Sequence, residues 1–239
     1  MDKSLESKCH ELESSYWWFI ARRDMLFGLV KGMDKNLKIL EVGCSSGKFL
    51  GMLRKSGFRH LYGVDISKEA IAKCRDAKLD YTYVMDGAKL KFKPGTFDLV
   101  IASDVLEHIK DESAALNEWK RVLKKNGKLI VFVPAFSFLW DNSDVLNHHY
   151  RRYGRKRLLR VLSKEGFRVQ RCSYWNCMPF FPVACARIFG RIFGSKADEL
   201  YSVSNLTNKT LVRILKLENR LLRRISLPVG VSVFAIAEK

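Results

Sequence analysis

The chain has 239 residues, 47% hydrophobic and 28% charged. Such a chain can build its own core without disulfides, and it is not a disordered tail, a collagen-like repeat or a coiled coil. Forty-three Lys and Arg against 25 Asp and Glu leave a net charge of +18. The excess is uneven. Residues 1–36 hold six acids and six bases, residues 37–146 hold 14 acids and 18 bases, and residues 147–239 hold five acids and 19 bases. A basic C-terminal third points to a polyanionic partner (nucleic acid, an anionic membrane surface or a phosphorylated substrate) or to a well-solvated basic face.

The opening segment, MDKSLESKCHELE, is too polar for a secretory signal, so a cytoplasmic location is expected. The six cysteines form no C-x-x-C pair and have no histidine at zinc-finger spacing, which fits reduced thiols. ESSYWWFIARR reads as an aromatic helix. Short apolar runs then alternate with helical stretches. Strands are expected at 38–42, 60–64, 80–84, 98–102 and 128–133, with helices at 47–56, 68–77 and 113–123, and Gly127 as a helix stop. Continuous apolar strands alternating with helices imply an α/β chain with a parallel sheet covered on both faces. A helix at 155–165, a strand at 167–174 and a last strand at 231–238 follow. About fifty residues before that last strand are surplus to the sheet.

The run ILEVGCSSGKFL places a glycine-bearing turn between a strand and a helix, where a ligand can approach the backbone. It lacks the Lys-Ser/Thr of a P-loop, and Glu41 just before it would repel phosphate. Asp65, twenty-two residues after Gly43 in YGVDIS, can accept both ribose hydroxyls of an adenosine group. Asp86, in YVMDGAK, follows the next strand and is placed to hold an adenine amino group.

These motifs, with FDLVIASDVLEHI and LKKNGKLIVFVP after them, resemble class I S-adenosylmethionine-dependent methyltransferases over residues 39–134. Serine at position 45 replaces the middle glycine of the loop. The resemblance implies a doubly wound, Rossmann-like, seven-stranded sheet, mostly parallel with an antiparallel last strand, and S-adenosyl-L-methionine as cofactor. It implies cofactor contacts from Glu41, Gly43, Cys44, Ser45 and Gly47 in the first loop, then Ile66 beside Asp65, Gly87 beside Asp86, and Asp104. It further implies a helical N-terminal lid, with Trp18 covering the sulfonium and Arg22 meeting the methionine carboxylate. One domain is expected, divided into a lid (1–36), a core (37–173), a helical insertion (174–226) and a final strand (227–239).

The segment after the fifth strand, ending NHHYRRYGRKR, lies where such enzymes bind their acceptor. His149, His148 and His108 are candidate general bases, and Arg151, Arg152 and Tyr153 candidate acceptor contacts. Residues 174–186 carry no charge, and 211–225 has an apolar stripe (Leu211, Ile214, Leu215, Leu221, Leu222, Ile225) opposite basic residues. Both suit peripheral contact with an anionic membrane, or a cap over the sheet. The expected reaction is methyl transfer to oxygen of a small or lipid-linked acceptor. RNA methylation, for which no RNA-binding signature is found, and cofactor binding without catalysis are the alternatives.

Overall fold

Apolar runs of this kind pay for strand formation only when both faces are covered, and that is how the chain folds. The structure, a computed structural model, describes residues 3–193 and 203–239. Strands β1 (Lys38–Val42), β2 (His60–Asp65), β3 (Thr82–Val84), β4 (Phe97–Ser103) and β5 (Leu123–Pro134) run parallel. With β6 (Arg168–Trp175) and β7 (Ser232–Glu238) they form one sheet of order β3-β2-β1-β4-β5-β7-β6. β7 is antiparallel to both its neighbours. The α/β architecture with an antiparallel last strand is thus as expected.

Alternate residues of each strand serve two cores. Leu40, Val42, Val100 and Val131 face α5 (Glu112–Val122) and α7 (Arg155–Lys164). Ile39, Leu99, Ile101 and Ile130 face the opposite layer. That layer comprises α2 (Trp17–Val30), α3 (Lys48–Lys55), α4 (Lys68–Asp76) and α9 (Asn205–Leu221). Strand order reverses between β1 and β4, so their connections diverge and leave a crevice at the carboxyl ends of both.

Helix boundaries follow capping residues. Ser67 accepts from the Ala70 N–H, Asp111 from Ala114 and Ser204 from Thr207, which starts α9 six residues before the apolar stripe begins. Gly127 is not a helix stop. α5 ends at Val122 and β5 begins at Leu123 without a loop. Asn126 is left-handed (φ 62°), and a Cβ on Gly127 would lie 2.9 Å from the Lys124 carbonyl, so glycine there serves a bulge.

The insertion between β6 and β7 forms α8 (Phe180–Phe193) and α9, with residues 194–202 of the expected segment outside the described residues. The 211–225 stripe is divided. Leu215 and Leu222 are buried in the core, whereas Leu221 and Ile225 are about half exposed. α9 docks through polar groups as well. Asn219 accepts from Trp175 Nε1 (2.8 Å) and donates to the Ala21 carbonyl (3.0 Å) and Asp24 (2.8 Å). Glu218, also buried, accepts the backbone N–H groups of Asn176 (2.6 Å), Cys177 (3.0 Å) and Met178 (2.9 Å).

One carboxylate therefore satisfies three N–H groups where β6 leads into α8. Glu218→Ala strands them, and each buried unpaired group costs roughly 1–3 kcal/mol. We expect the variant to lose ~2–4 kcal/mol in urea denaturation, and Glu218→Gln, which keeps one acceptor, to lose less. Equal stability of Glu218→Ala and the wild type would show that these bonds contribute nothing.

Candidate active site

The loop after β1 lines the crevice. Gly43 (φ 71°) and Gly47 (φ 73°) are left-handed, and a Cβ would overlap Val105 at the first and Leu79 at the second. Ser45, between them, is left-handed without being glycine (φ 46°), a conformation that costs about 1–3 kcal/mol. Its N–H is held by Asp65 Oδ2 at 2.9 Å, and Asp65 Oδ1 accepts from the Ser67 N–H, also at 2.9 Å. Asp65 thus fixes the loop against the end of β2.

Cys44 is buried under the loop beside Gly63, and its thiol is pushed up by a hydrogen bond to Cys74 and by burial. Glu41 is buried behind it. Burial, then the neighbouring Cys74, Glu13 and Asp65, push its carboxyl well above the ordinary value. Ile66 is exposed beside Asp65. Asp86 is exposed and accepts from the Ala88 N–H (2.8 Å), and the Gly87 carbonyl accepts from Trp119 Nε1 (2.9 Å).

Helix α1 (Lys3–Leu12) and the turn after it lie over this loop. His10 Nδ1 is 3.3 Å from Ser45 Oγ, and Ser46 Oγ donates to the buried Glu13. The sequence reading missed both residues. A polar helix with weak periodicity carries no sign of what it will touch.

The aromatic helix α2 plays another part. Arg22, 4% exposed, lies between Trp18, Phe132 and Trp175, its guanidinium carbon 4.6, 4.5 and 4.3 Å from their ring centres. It pairs with Asp104 (2.9 Å) and donates to Ser103 (3.3 Å) and Ser232 (2.9 Å). Burial lowers its pKa, which the nearby Asp104 and Glu107 partly offset. Trp18 and Arg22, expected over the cofactor, here hold each other. Asp104, left-handed at φ 58°, is neutralised by that guanidinium at the end of β4.

Beyond Asp104, a single 3-10 turn (Leu106–His108) places Glu107 and His108 beside His149. The His108 and His149 rings meet edge to face at 4.5 Å, and burial, then His149, lower His108 to about 4. Glu107 is 1% exposed, with neither carboxylate oxygen hydrogen-bonded, and burial pushes its pKa well up. His149 Nδ1 lies 2.7 Å from Asp144. Asp144 lies in α6 (Asn142–Leu146), fully buried, and accepts Arg152 Nε at 2.9 and 3.0 Å and Nη2 at 2.9 Å. His148 is exposed and left-handed, one residue short of the cluster.

The three expected acceptor contacts are engaged within the chain. Arg152 is buried, spent on Asp144 and the Ala135 carbonyl. Tyr153 is fully buried and donates to Glu112 (2.6 Å), and its pKa is raised by burial. Arg151 turns to Glu112 (3.3 Å) and the Lys110 carbonyl (2.5 Å). Basic residues in this run answer the chain's own acids first. Asp144, which the reading overlooked, is betrayed in sequence only by the D-N-S-D spacing of its capping box.

The raised pKa of Glu41 gives a test with a definite sign. Above about 4.5 the unfolded chain releases this proton while the folded chain retains it, so stability falls as pH rises towards the folded pKa. Glu41→Gln removes that dependence. We expect urea denaturation to show the variant gaining on the wild type between pH 5 and 8, and a pH-independent difference would rule out a raised Glu41.

A family model described as a methyltransferase domain matches residues 40–131. The chain is 34% identical over 115 residues to the Xenopus tropicalis tRNA (carboxymethyluridine(34)-5-O)-methyltransferase alkbh8, covering 47% of this chain and 17% of that protein. It is 32% identical to the ubiquinone biosynthesis O-methyltransferase of Pelagibacter ubique, over 43% of each. It thus spans less than half the length of either relative. Phosphoethanolamine N-methyltransferase 2 of Haemonchus contortus, solved with S-adenosyl-L-methionine, shares the fold with a TM-score of 0.59 and 22% identity, over 91% of this chain and 52% of that one. With the glycine loop, the acid at the end of β2 and the sheet order, these likenesses mark residues 40–131 as a methyltransferase domain, in a sheet with the fold of S-adenosylmethionine-dependent methyltransferases.

Proposed function

We propose that the chain transfers a methyl group from S-adenosyl-L-methionine to an oxygen atom of a small or lipid-attached acceptor. The observation that carries this reading is a crevice with two different ends. One end is the glycine loop clamped by Asp65, and the other is the Glu107–His108–His149 cluster beyond Asp104. The residues fit the cofactor. The bare backbone at Gly43 and Gly47 admits a close ligand, Asp65 stands at the end of β2 where a ribose would lie, and Asp86 is exposed where an adenine edge would lie.

S-adenosyl-L-methionine, when bound, supplies a methyl already activated on a sulfonium. The protein's task is then to align the acceptor and take up its proton. Glu41, Cys44, Ser45, Ile66 and Gly87 shape the cofactor end. Arg22 positions Asp104, with Trp18 as part of its cage. His108 and His149 face the acceptor, and His148 lies exposed one residue away.

A lipid-attached acceptor is supported by α8. Its outer face carries Phe181, Pro182, Cys185 and Phe189, all exposed and uncharged, while Arg187 turns inward to Asp141. Among the described residues no helix is long and apolar enough to cross a membrane, so contact would be peripheral.

Asp65→Ala should weaken S-adenosylmethionine binding by about 1.5–3 kcal/mol in calorimetry, the range for a charged hydrogen bond. Absence of binding to the wild type, or unchanged affinity in a folded variant, would overturn the cofactor site. Co-sedimentation should be strong with anionic vesicles, weaker with neutral ones and only partly reversed by salt, since apolar insertion is not screened. Indifference to vesicles, with a steeply salt-dependent shift of structured RNA, would replace the lipid reading by RNA methylation.

A further inference from the structure

We propose that Glu107, His108 and His149 bind a divalent transition-metal ion that takes the acceptor's oxygen as a further ligand. The proposal deepens the methyltransferase reading and rests on it for the acceptor, although the metal site stands on its own geometry. The ligand atoms of the three residues lie within 4.8 Å of one another. Metal–ligand bonds of about 2.0–2.2 Å set ligand separations of roughly 3–4 Å, so small side-chain rotations close the site.

Three observations single this cluster out from ordinary polar groupings. First, both carboxylate oxygens of Glu107 are buried without a hydrogen-bond partner. A buried, unsatisfied carboxylate requires an explanation, and a cation beside it is one. Second, His149 is already oriented as a ligand. The Asp144 carboxylate, held by Arg152, is an acceptor, so His149 Nδ1–H donates to it and Nε2 keeps its lone pair. A carboxylate–histidine pair of this kind fixes the tautomer of metal-bound imidazoles. Third, His108 lies next to Glu107 in the same 3-10 turn and brings a second imidazole to the same point. The two rings meet edge to face rather than stacking, and the unpaired carboxylate stands beside them.

Two imidazoles and one carboxylate suit zinc, manganese, iron or cobalt better than calcium or magnesium, which favour oxygen ligands. Three protein ligands leave positions open for acceptor oxygen. Coordination lowers the pKa of an acceptor hydroxyl, which yields its proton to water. The oxygen then forms a bond to the methyl carbon, while the electron pair of the breaking C–S bond returns to sulfur and leaves a neutral thioether. His149 is on this account a ligand, and Asp144 and Arg152 are positioning residues.

The test is calorimetric titration of chelator-stripped full-length protein with Zn2+ and Mn2+, and visible absorption with Co2+, beside S-adenosylhomocysteine binding. The wild type should bind one ion per chain and develop cobalt d–d bands. His149→Gln and Glu107→Gln should each lose at least ~100-fold in metal affinity, more than the 10–100-fold typical of outer partners, while retaining S-adenosylhomocysteine binding. Asp144→Asn should lose ~10–100-fold, which a purely structural aspartate would not do in a folded variant. Wild-type protein that binds S-adenosylhomocysteine but no ion, or that binds the ion equally after His149→Gln, would overturn the site. Metal binding without S-adenosylhomocysteine binding would uphold the site and overturn the methyltransferase reading instead.

Discussion

The burial of one guanidinium constrains much of this structure. Arg22 leaves water almost entirely, and a buried charge is tolerable only when it is paired and its donors are satisfied. Its partners come from distant parts of the chain: Ser103 at the end of β4 and Asp104 after it, Ser232 at the start of β7, and aromatic rings from α2, β5 and β6. These contacts tie α2 to the ends of β4 and β7 and to the left-handed turn at Asp104. The crevice is therefore bounded on one side by a charge balance rather than by packing alone.

A second buried pair does the same for the far side. Arg152 and Asp144 bind through several hydrogen bonds, and such a pair gives little net stability because desolvation offsets the attraction. What it supplies is direction. With Asp144 immobile, His149 has one ring orientation, and the preceding residue, His148, has no such support. Two adjacent histidines thus differ in how they are held, through an aspartate that neither chemistry nor spacing of the HH pair reveals.

Much of the sheet was legible because its signals are local. The glycine loop, the acid after β2 and the apolar strands each lie within a few residues, and periodicity reports them. Helix ends were less legible, since α9 starts at Ser204 by a side-chain cap while its apolar pattern begins later. Long-range polar pairing was not legible. Arg151, Arg152 and Tyr153 looked like ligand contacts because sequence displays a charge and conceals its internal partner. For the same reason Leu215 and Leu222 could be read as a membrane stripe, though they are core.

The pairing of α2 with α9 has a consequence for how the protein is made. The Asn219 side chain closes onto the Ala21 carbonyl, a separation of 198 residues. A nascent chain emerging from its N-terminus therefore displays the aromatic face of α2 long before α9 has been synthesised to cover it. Most of the sheet can pair in that interval, but one of its two layers stays unfinished until the last strand arrives. The core that α2 and α9 share is therefore completed later than the one built on α5 and α7.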